Sequence, residues 1–142
     1  MHRFIRPDLA IGLIAAASLL FAATPAPAAD IDWAAVADVE TVHVLTTDDD
    51  GDARATKIWL VVLDGHGYIR TSRRSTWGKN VARDPDIALR IGDAEYPVRA
   101  TFIVDEAERA RIVAAFEEKY GSNPILNFLR GSDPPIMRLD PR

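Results

Sequence analysis

The chain has 142 residues and no cysteine, which limits it to one compact domain without disulfide bonds or thiolate metal sites. It carries 17 lysines and arginines against 21 aspartates and glutamates, for a formal net charge of -4. This acidic balance argues against general binding to nucleic acid.

The N-terminus has the pattern of a secretory signal peptide. Arg3 and Arg6 precede an apolar run, and the small residues Ala26 and Ala28 follow it. We therefore predict a signal peptide over residues 1–28 that is cleaved after Ala28, and a mature domain over residues 29–142. The mature protein would be periplasmic or secreted, with no stable membrane span. An uncleaved anchor is the alternative, because about 15 apolar residues are short for a bilayer span but not prohibitive.

The first half of the mature domain predicts strands joined by tight turns. A short helix is predicted over residues 33–39, capped by Asp30 or Asp32. Alternation over residues 42–46 predicts a first strand, ATKIWLVVL a second and YIRTS a third. The segments TTDDDGD and DGHG between them are typical of turns, so the three strands predict an antiparallel meander.

The next segments predict a short helix and two more strands. In STWGKNVARDPD, Trp77 and Val81 lie four residues apart, and Pro85 ends the helical pattern. IALRI and EYPVRATFIV then predict extended structure, in which Pro97 indicates an edge or a bulge.

A longer amphipathic helix follows. Asp105 and Glu108 resemble a capping box, and Gly121 is placed to close the helix. Asn123 and Pro124 predict a further helical turn, and IMRL predicts the last strand. Five or six strands with one such helix favour closure into a small barrel.

The segment after the third predicted strand is cationic and rich in hydroxyls. Within nine positions it holds the cations Arg73, Arg74 and Lys79 and, among its hydroxyl residues, Thr71, Ser72 and Ser75. Such a set suits a phosphate cradle. A solvated, salt-bridged surface is the alternative, because Asp84 and Asp86 follow closely.

Other catalytic and metal-binding patterns find little support. No serine lies in a nucleophile elbow and no glycine-rich phosphate loop is present, so hydrolase and nucleoside triphosphatase functions are not predicted. Asp48, Asp50 and Asp52 alternate as calcium ligands do, but the distal glutamate is missing, which favours a hairpin turn. His43 and His66 stand apart from any acidic pair, so no metal site is predicted.

The order of these segments resembles the flavin split-barrel superfamily, the pyridoxamine 5'-phosphate oxidase-like FMN-binding proteins. The resemblance rests on the paired strands, the cationic loop, the helix motif W-x-K-N-V-x-x-x-P and the terminal RLDPR, and it covers residues 41–142. It is strongest toward the small uncharacterised members and the deazaflavin-dependent nitroreductase-like members. It implies a mainly β fold with α, a six-stranded antiparallel split β-barrel with one long amphipathic helix and short flanking helices.

The resemblance also implies a function. In such proteins a homodimer binds a flavin-type cofactor at the interface between its subunits. We therefore expect an oxidoreductase-like protein that uses FMN or a deazaflavin and transfers hydride or electrons to a small-molecule acceptor. The alternative is a non-catalytic split-barrel binding module that has lost the flavin or holds another planar ligand. No side chain is an obvious acid or base, so no catalytic residue is assigned.

Residue by residue, the resemblance implies a set of cofactor contacts. The implied positions are Lys57, Ile58, Trp59, Arg70, Thr71, Ser72, Trp77, Lys79 and Asn80. The first three would line the isoalloxazine ring, and the next three would lie near the ribityl chain or phosphate. Lys79, with Asn80 beside it, would bind phosphate. Trp59 and Trp77 are candidates for stacking on the ring, with burial in the core or at the dimer interface as the alternative.

Overall fold

The computed structural model describes residues 30–122 and 133–142. In these residues it has seven strands and two helices. The strands are β1 (Thr41–Thr47), β2 (Ala53–Trp59), β3 (Val61–Leu63), β4 (His66–Arg70), β5 (Asp86–Ile91), β6 (Ala94–Phe102) and β7 (Ile136–Pro141), and the helices are α1 (Thr76–Arg83) and α2 (Glu106–Tyr120). The predicted signal peptide and the predicted helical turn at Asn123 and Pro124 lie outside the described residues.

The strands form one antiparallel sheet in the order β2-β1-β5-β6-β7-β4-β3. β2 and β3 lie at opposite ends of this order, although only Leu60 separates them along the chain. Because the chain passes from one end of the sheet to the other across a single residue, the two ends must lie side by side. The sheet therefore curls into a half-barrel, as the split-barrel prediction required.

The predicted strand count and the predicted meander are both wrong, and for the same reason. The segment ATKIWLVVL is two strands, because it breaks at Leu60. β2 pairs with β1, whereas β3 pairs with β4, so the sheet has seven strands instead of six. Leu60 is fully buried at this corner.

Both predicted hairpin turns are confirmed. In the β1–β2 turn, the Gly51 amide donates to the Asp48 carbonyl at 3.0 Å, and Gly51 has a φ of 92°. In the β3–β4 turn, Asp64 and Gly65 have φ angles of 51° and 76°. Two successive positive φ angles are typical of the turns that match the twist of a hairpin.

Pro97 lies on β6, which has a neighbouring strand on each side, but only β5 pairs with β6 at this position. β6 pairs with β5 through Pro97 opposite Ala88, whereas pairing with β7 begins only at Val98. Pro97 therefore has the predicted edge character only locally. At this position no β7 residue pairs with β6, so the missing N–H of proline interrupts no hydrogen bond on that side.

The inner face of the half-barrel holds the main core. Its fully buried side chains alternate along the strands, as a half-buried sheet requires, and include Val42, Val44, Ile69, Leu89, Val98 and Leu139. Trp77 and Val81 of α1 join this core, which confirms the helix predicted from their spacing. Ser75 caps α1 by accepting a hydrogen bond from the Gly78 amide at 3.1 Å.

Helix α2 covers part of the outer face. Its Ile112 and Phe116 are buried against Val61, Tyr68 and other outer-face side chains. Asp105 caps it by accepting from the Glu108 amide at 2.8 Å, and its last residue is followed by Gly121 at a φ of 78°, as predicted. Burial of a side chain the size of Phe116 contributes about 2–3 kcal/mol. Within the described residues, no helix has the length and apolar character needed to span a membrane.

The segment before β1 is not the predicted helix. Residues 33–38 form successive turns, with hydrogen bonds from Val36 to Trp33 and from Val39 to Val36. Trp33 is buried because its indole lies directly on the backbone of Gly67. A Cβ at Gly67 would lie 2.2 Å from the indole, so only glycine leaves room for the indole here. This contact packs the segment before β1 against the half-barrel.

Candidate functional site

A cavity of about 290 Å³ opens where β2, the end of β4 and the start of α1 meet. We call it the Trp59 cavity. Its lining consists of Lys57, Ile58, Trp59, Arg70, Thr71, Ser72, Ser75 and Trp77. The curl of the sheet creates it, because β2 and β4 are far apart in strand order and become neighbours only when the two ends of the sheet meet.

Two tryptophans supply apolar wall. Trp77 is 7% exposed and packs into the main core, which supports its interpretation as a core residue that also borders the cavity. Trp59 is half-buried, and its ring is stacked on that of Tyr120 with the centroids 4.4 Å apart and the planes 2° apart. The cavity thus has indole groups suited to contact a planar ligand.

The hydroxyls of Thr71 and Ser75 form a connected cradle with the Ser72 carbonyl at the start of α1. The Thr71 hydroxyl is hydrogen-bonded to the Ser75 hydroxyl, and Ser75 also donates to the Ser72 carbonyl at 3.1 Å. Thr71 is buried, while Ser72 and Ser75 are half-buried. These groups lie next to the positive end of the α1 dipole, where an anion is stabilised.

The absence of a side chain at Gly78 allows this cradle to form. A Cβ there would lie 2.6 Å from the Ser75 Oγ and 2.9 Å from the Thr71 Oγ1. Both distances are shorter than side chains tolerate, so only glycine lets α1 approach Thr71 this closely.

The cavity carries positive charge. Lys57 is exposed on the edge strand and forms no ion pair with another described residue. The Arg70 guanidinium is half-buried, with its central carbon 4.5 Å from the centre of the Phe116 ring. No aspartate or glutamate is among the described residues that line the cavity, so its field favours an anionic ligand.

The structure brings together seven of the nine residues that the resemblance implied. Lys57, Ile58, Trp59, Arg70, Thr71, Ser72 and Trp77 all line the Trp59 cavity. Lys79 and Asn80 do not. Lys79 is exposed on α1, and the next residue, Asn80, is buried.

Asn80 belongs to a second cavity, of about 390 Å³, which we call the Asp48 cavity. Its lining includes the β1–β2 turn, the end of α1 and the start of β5. The Asn80 amide donates to Thr46 Oγ1 at 3.1 Å and to the Asp48 carboxylate at 2.7 Å, and Arg54 forms two bonds to the same carboxylate at 2.7 and 2.9 Å. The hydrogen bonds from Arg54 and Asn80 lower the pKa of Asp48.

Ser75, which lines the Trp59 cavity, and Gly78, which packs against its hydroxyls, were not among the implied cofactor contacts. Ser75 was recognised only as part of the cationic loop, although its position just before a helical pattern signals an N-cap whose hydroxyl faces the helix terminus. Gly78 matters because it allows a close approach between segments, and nothing in the local sequence signals such an approach.

Comparison with known proteins identifies a family match. Residues 32–132 match the family model described as "Uncharacterized protein conserved in bacteria (DUF2255)". No curated protein matches the sequence.

Proteins of several kinds have solved structures with the same fold. The heme storage protein HutZ from Vibrio cholerae aligns at 18% identity over 72% of this chain and 82% of its own, with a TM-score of 0.59. An F420-H2-dependent reductase aligns at 20% identity over 72% and 95%, with a TM-score of 0.60. A putative pyridoxamine 5'-phosphate oxidase from Listeria innocua aligns at 15% identity over 77% and 89%, with a TM-score of 0.59. These matches confirm the predicted flavin split-barrel fold.

Proposed function

Because this chain belongs to the family described as uncharacterized proteins conserved in bacteria (DUF2255), and has the flavin split-barrel fold, we propose that it is a flavin- or deazaflavin-binding oxidoreductase. The Trp59 cavity is the proposed cofactor site. One observation carries the proposal: two cations, three hydroxyls and two indoles, drawn from three separate segments, line one open cavity that contains no described carboxylate.

The side chains of the cavity fit the chemistry of such a cofactor. Thr71, Ser72 and Ser75 offer hydroxyls at a helix N-terminus, which suits a phosphate. Trp59 offers apolar contact for a ring, and Lys57 a positive charge beside it. When bound, a flavin or deazaflavin supplies the capacity to accept and donate hydride. Lys57 would stabilise the negative charge that accumulates on the reduced ring.

We also propose that a second copy of the chain completes the site. A volume of about 290 Å³ is slightly below the usual range for ligand cavities, roughly 300–1,000 Å³. The cavity borders β2, a seven-residue strand at one end of the sheet order that exposes Lys57 to solvent. A homodimer that packs over β2 would cover the exposed side of the ligand.

A second candidate function is non-catalytic binding of another planar ligand such as heme. The descriptions of two structural neighbours, the heme storage protein from Vibrio cholerae and a heme-binding protein from Mycobacterium smegmatis, favour it. Against it, no histidine, methionine or tyrosine is among the described residues that line the Trp59 cavity. His43 lies on β1, and the His66 ring makes a 3.0 Å hydrogen bond with the Asp64 carbonyl. An axial ligand for iron would therefore have to come from outside the described lining of this cavity, for example from His43, which lies opposite Lys57 in the β1–β2 pairing.

Export is a separate part of the proposal and rests on the sequence pattern of residues 1–28. If the protein is exported, the mature form recovered from cells should begin at Ala29 and fractionate outside the cytoplasm. Mass spectrometry of the intact mature protein checks this. A full-length mass in the cytoplasmic fraction would contradict it.

The cofactor proposal is tested by titrating the purified protein with FMN, coenzyme F420 and heme in turn, and recording absorbance. We expect saturable binding of FMN or F420 in the micromolar range or tighter, which corresponds to about -8 kcal/mol or better. Binding of heme alone would favour the second candidate. Binding of none of the three would remove support for both.

A further inference from the structure

The last turn of α2 holds the chain at the corner between β2 and β3. The Lys119 ammonium group donates to three backbone carbonyls, those of Ala37 at 3.0 Å, Val39 at 2.6 Å and Leu60 at 2.8 Å. An ammonium group has three N–H donors, so these three bonds use all of them. Lys119 therefore joins α2, the segment before β1 and the β2–β3 corner at one point.

Tyr120 binds the same corner from the adjacent position. Its hydroxyl accepts a hydrogen bond from the Leu60 amide at 3.1 Å and lies 2.6 Å from the Glu40 carbonyl, to which it can donate. The ring of Tyr120 is stacked on Trp59, the residue just before Leu60. Two consecutive residues of α2 thus fix both the backbone at Leu60 and the ring plane at Trp59.

Holding the Lys119 ammonium at this corner costs desolvation free energy. Lys119 is half-buried and its hydrogen-bond partners are neutral carbonyls, so burial lowers the pKa of its ammonium, although Asp38 and Glu40 oppose this effect. A methionine or leucine there would avoid the desolvated charge but would leave the three carbonyls without this donor. A cation kept on three carbonyls specifies where the joined segments lie.

We infer that Lys119 and Tyr120 are positioning residues for the Trp59 cavity. They set the orientation of the Trp59 indole in the cavity wall, and through it the contact with a bound planar ring. The inference rests on the proposed function for its consequence in binding, but the orientation of Trp59 in the protein without ligand is measurable by itself.

The first test concerns the indole without ligand. The near-ultraviolet circular dichroism of the protein minus that of Trp59→Phe isolates the signal of Trp59, while Trp33 and Trp77 stay in place. We expect Tyr120→Leu and Lys119→Met each to remove at least half of this signal, and the exposed Glu118→Gln on the same helix to keep it. An unchanged Trp59 signal in folded Tyr120→Leu and Lys119→Met proteins would overturn the inference.

The second test measures FMN affinity in a double-mutant cycle of Trp59→Phe and Tyr120→Leu. Tyr120→Leu should weaken FMN binding about fivefold in the natural background, a value within the range for an aromatic pair. In the Trp59→Phe background the same change should cost less than about twofold, because the ring that Tyr120 orients is already lost. Equal losses in both backgrounds would show that Tyr120 acts through general stability, and the inference would fail.

The two tests separate the inference from the proposed function. If the natural protein binds no FMN, the FMN-binding proposal fails, and the circular dichroism comparison still decides whether Lys119 and Tyr120 orient Trp59. If the natural protein binds FMN and the cycle shows no coupling, the proposed function stands and the positioning role is wrong.

Discussion

The Trp59 cavity and the Asp48 cavity lie at opposite ends of α1 and differ in how their polar groups are satisfied. In the larger Asp48 cavity, the Asp48 carboxylate is bonded to Arg54 and Asn80, Arg83 donates to the Thr47 carbonyl, and the Asp86 carboxylate pairs with Arg99. In the smaller Trp59 cavity, Lys57 has no ion-pair partner among the described residues, and no aspartate or glutamate is among the described lining residues.

We therefore base the proposed ligand site on the pairing of charges and not on cavity volume. The Asp48 cavity has about 390 Å³ and the Trp59 cavity about 290 Å³, yet the charged groups named in the larger one stabilise the fold through one another. Among the described residues of the Trp59 cavity, Lys57 has no ion-pair partner and is available to a ligand. Changes in the first cavity should therefore affect stability, and changes in the second should affect binding.

Gly78→Ala should have the largest effect on binding. The new Cβ would displace the Ser75 and Thr71 hydroxyls that form the cradle, because it would lie 2.6 and 2.9 Å from them. We expect FMN affinity to fall roughly thirtyfold, the cost of one or two hydrogen bonds to a charged group. Stability should change little, since alanine favours a helix by about 1 kcal/mol over glycine and offsets the weakened cap. Isothermal calorimetry and thermal melts check both parts.

Lys57→Met should come second, with Lys79→Met as the matched comparison. Both lysines are exposed, but only Lys57 lines the Trp59 cavity. We expect FMN affinity to fall about tenfold for Lys57→Met, the loss of one charged contact, and by a smaller factor for Lys79→Met. A larger loss at Lys79 would instead support the phosphate contact that the family resemblance implied.

Thr46→Val should remove a hydrogen bond from the Asp48 cavity and leave the Trp59 cavity unchanged. It removes the oxygen that accepts from the Asn80 amide at 3.1 Å, and both residues are buried. The free energy of unfolding should fall by about 1 kcal/mol, measured by urea denaturation, with FMN affinity unchanged in the folded protein. A comparable loss of affinity would show that the two cavities are coupled and that the contrast between them is too simple.

Low pH should reduce the stability of the protein through the Asp48 cavity, and this is the smallest of the expected effects. The pKa of Asp48 is lowered in the folded state by its bonds to Arg54 and Asn80, so its contribution to stability is present above its ordinary value of about 3.9. That contribution is lost as the pH falls through the lowered pKa, because the unfolded state then binds more protons. Asp48→Asn should flatten this acid dependence in urea melts recorded from pH 5 down to pH 2. If Asp48→Asn left the loss of stability between pH 5 and pH 2 unchanged, Asp48 would not be its cause.

Local signals in the sequence predicted most elements of this fold. The hairpin turns, the cap at Asp105 and the end of α2 at Gly121 all depend on residues a few positions apart. The break at Leu60 was missed because ATKIWLVVL is a continuous strand-like run. Its division depends on which distant strands its two halves meet, and local propensity does not encode that.

The candidate site shows the same division. The family resemblance supplied residues 57–59 and 70–72, and the curl of the sheet brings both segments to the Trp59 cavity. It also implied Asn80, which does not line this cavity and donates instead to Thr46 and Asp48. The roles of Gly78 and Tyr120 depend on contacts made through space, so they required the structure.

The most direct test of the central claim is a titration of the purified protein and its Lys57→Met variant with FMN and with coenzyme F420, followed by absorbance and by the change in tryptophan fluorescence. We expect the natural protein to bind FMN or coenzyme F420 saturably, and the Lys57→Met variant to bind the same cofactor about tenfold more weakly. Failure of both to bind, or equal binding by both proteins, would contradict the assignment of the Trp59 cavity as a flavin-type site.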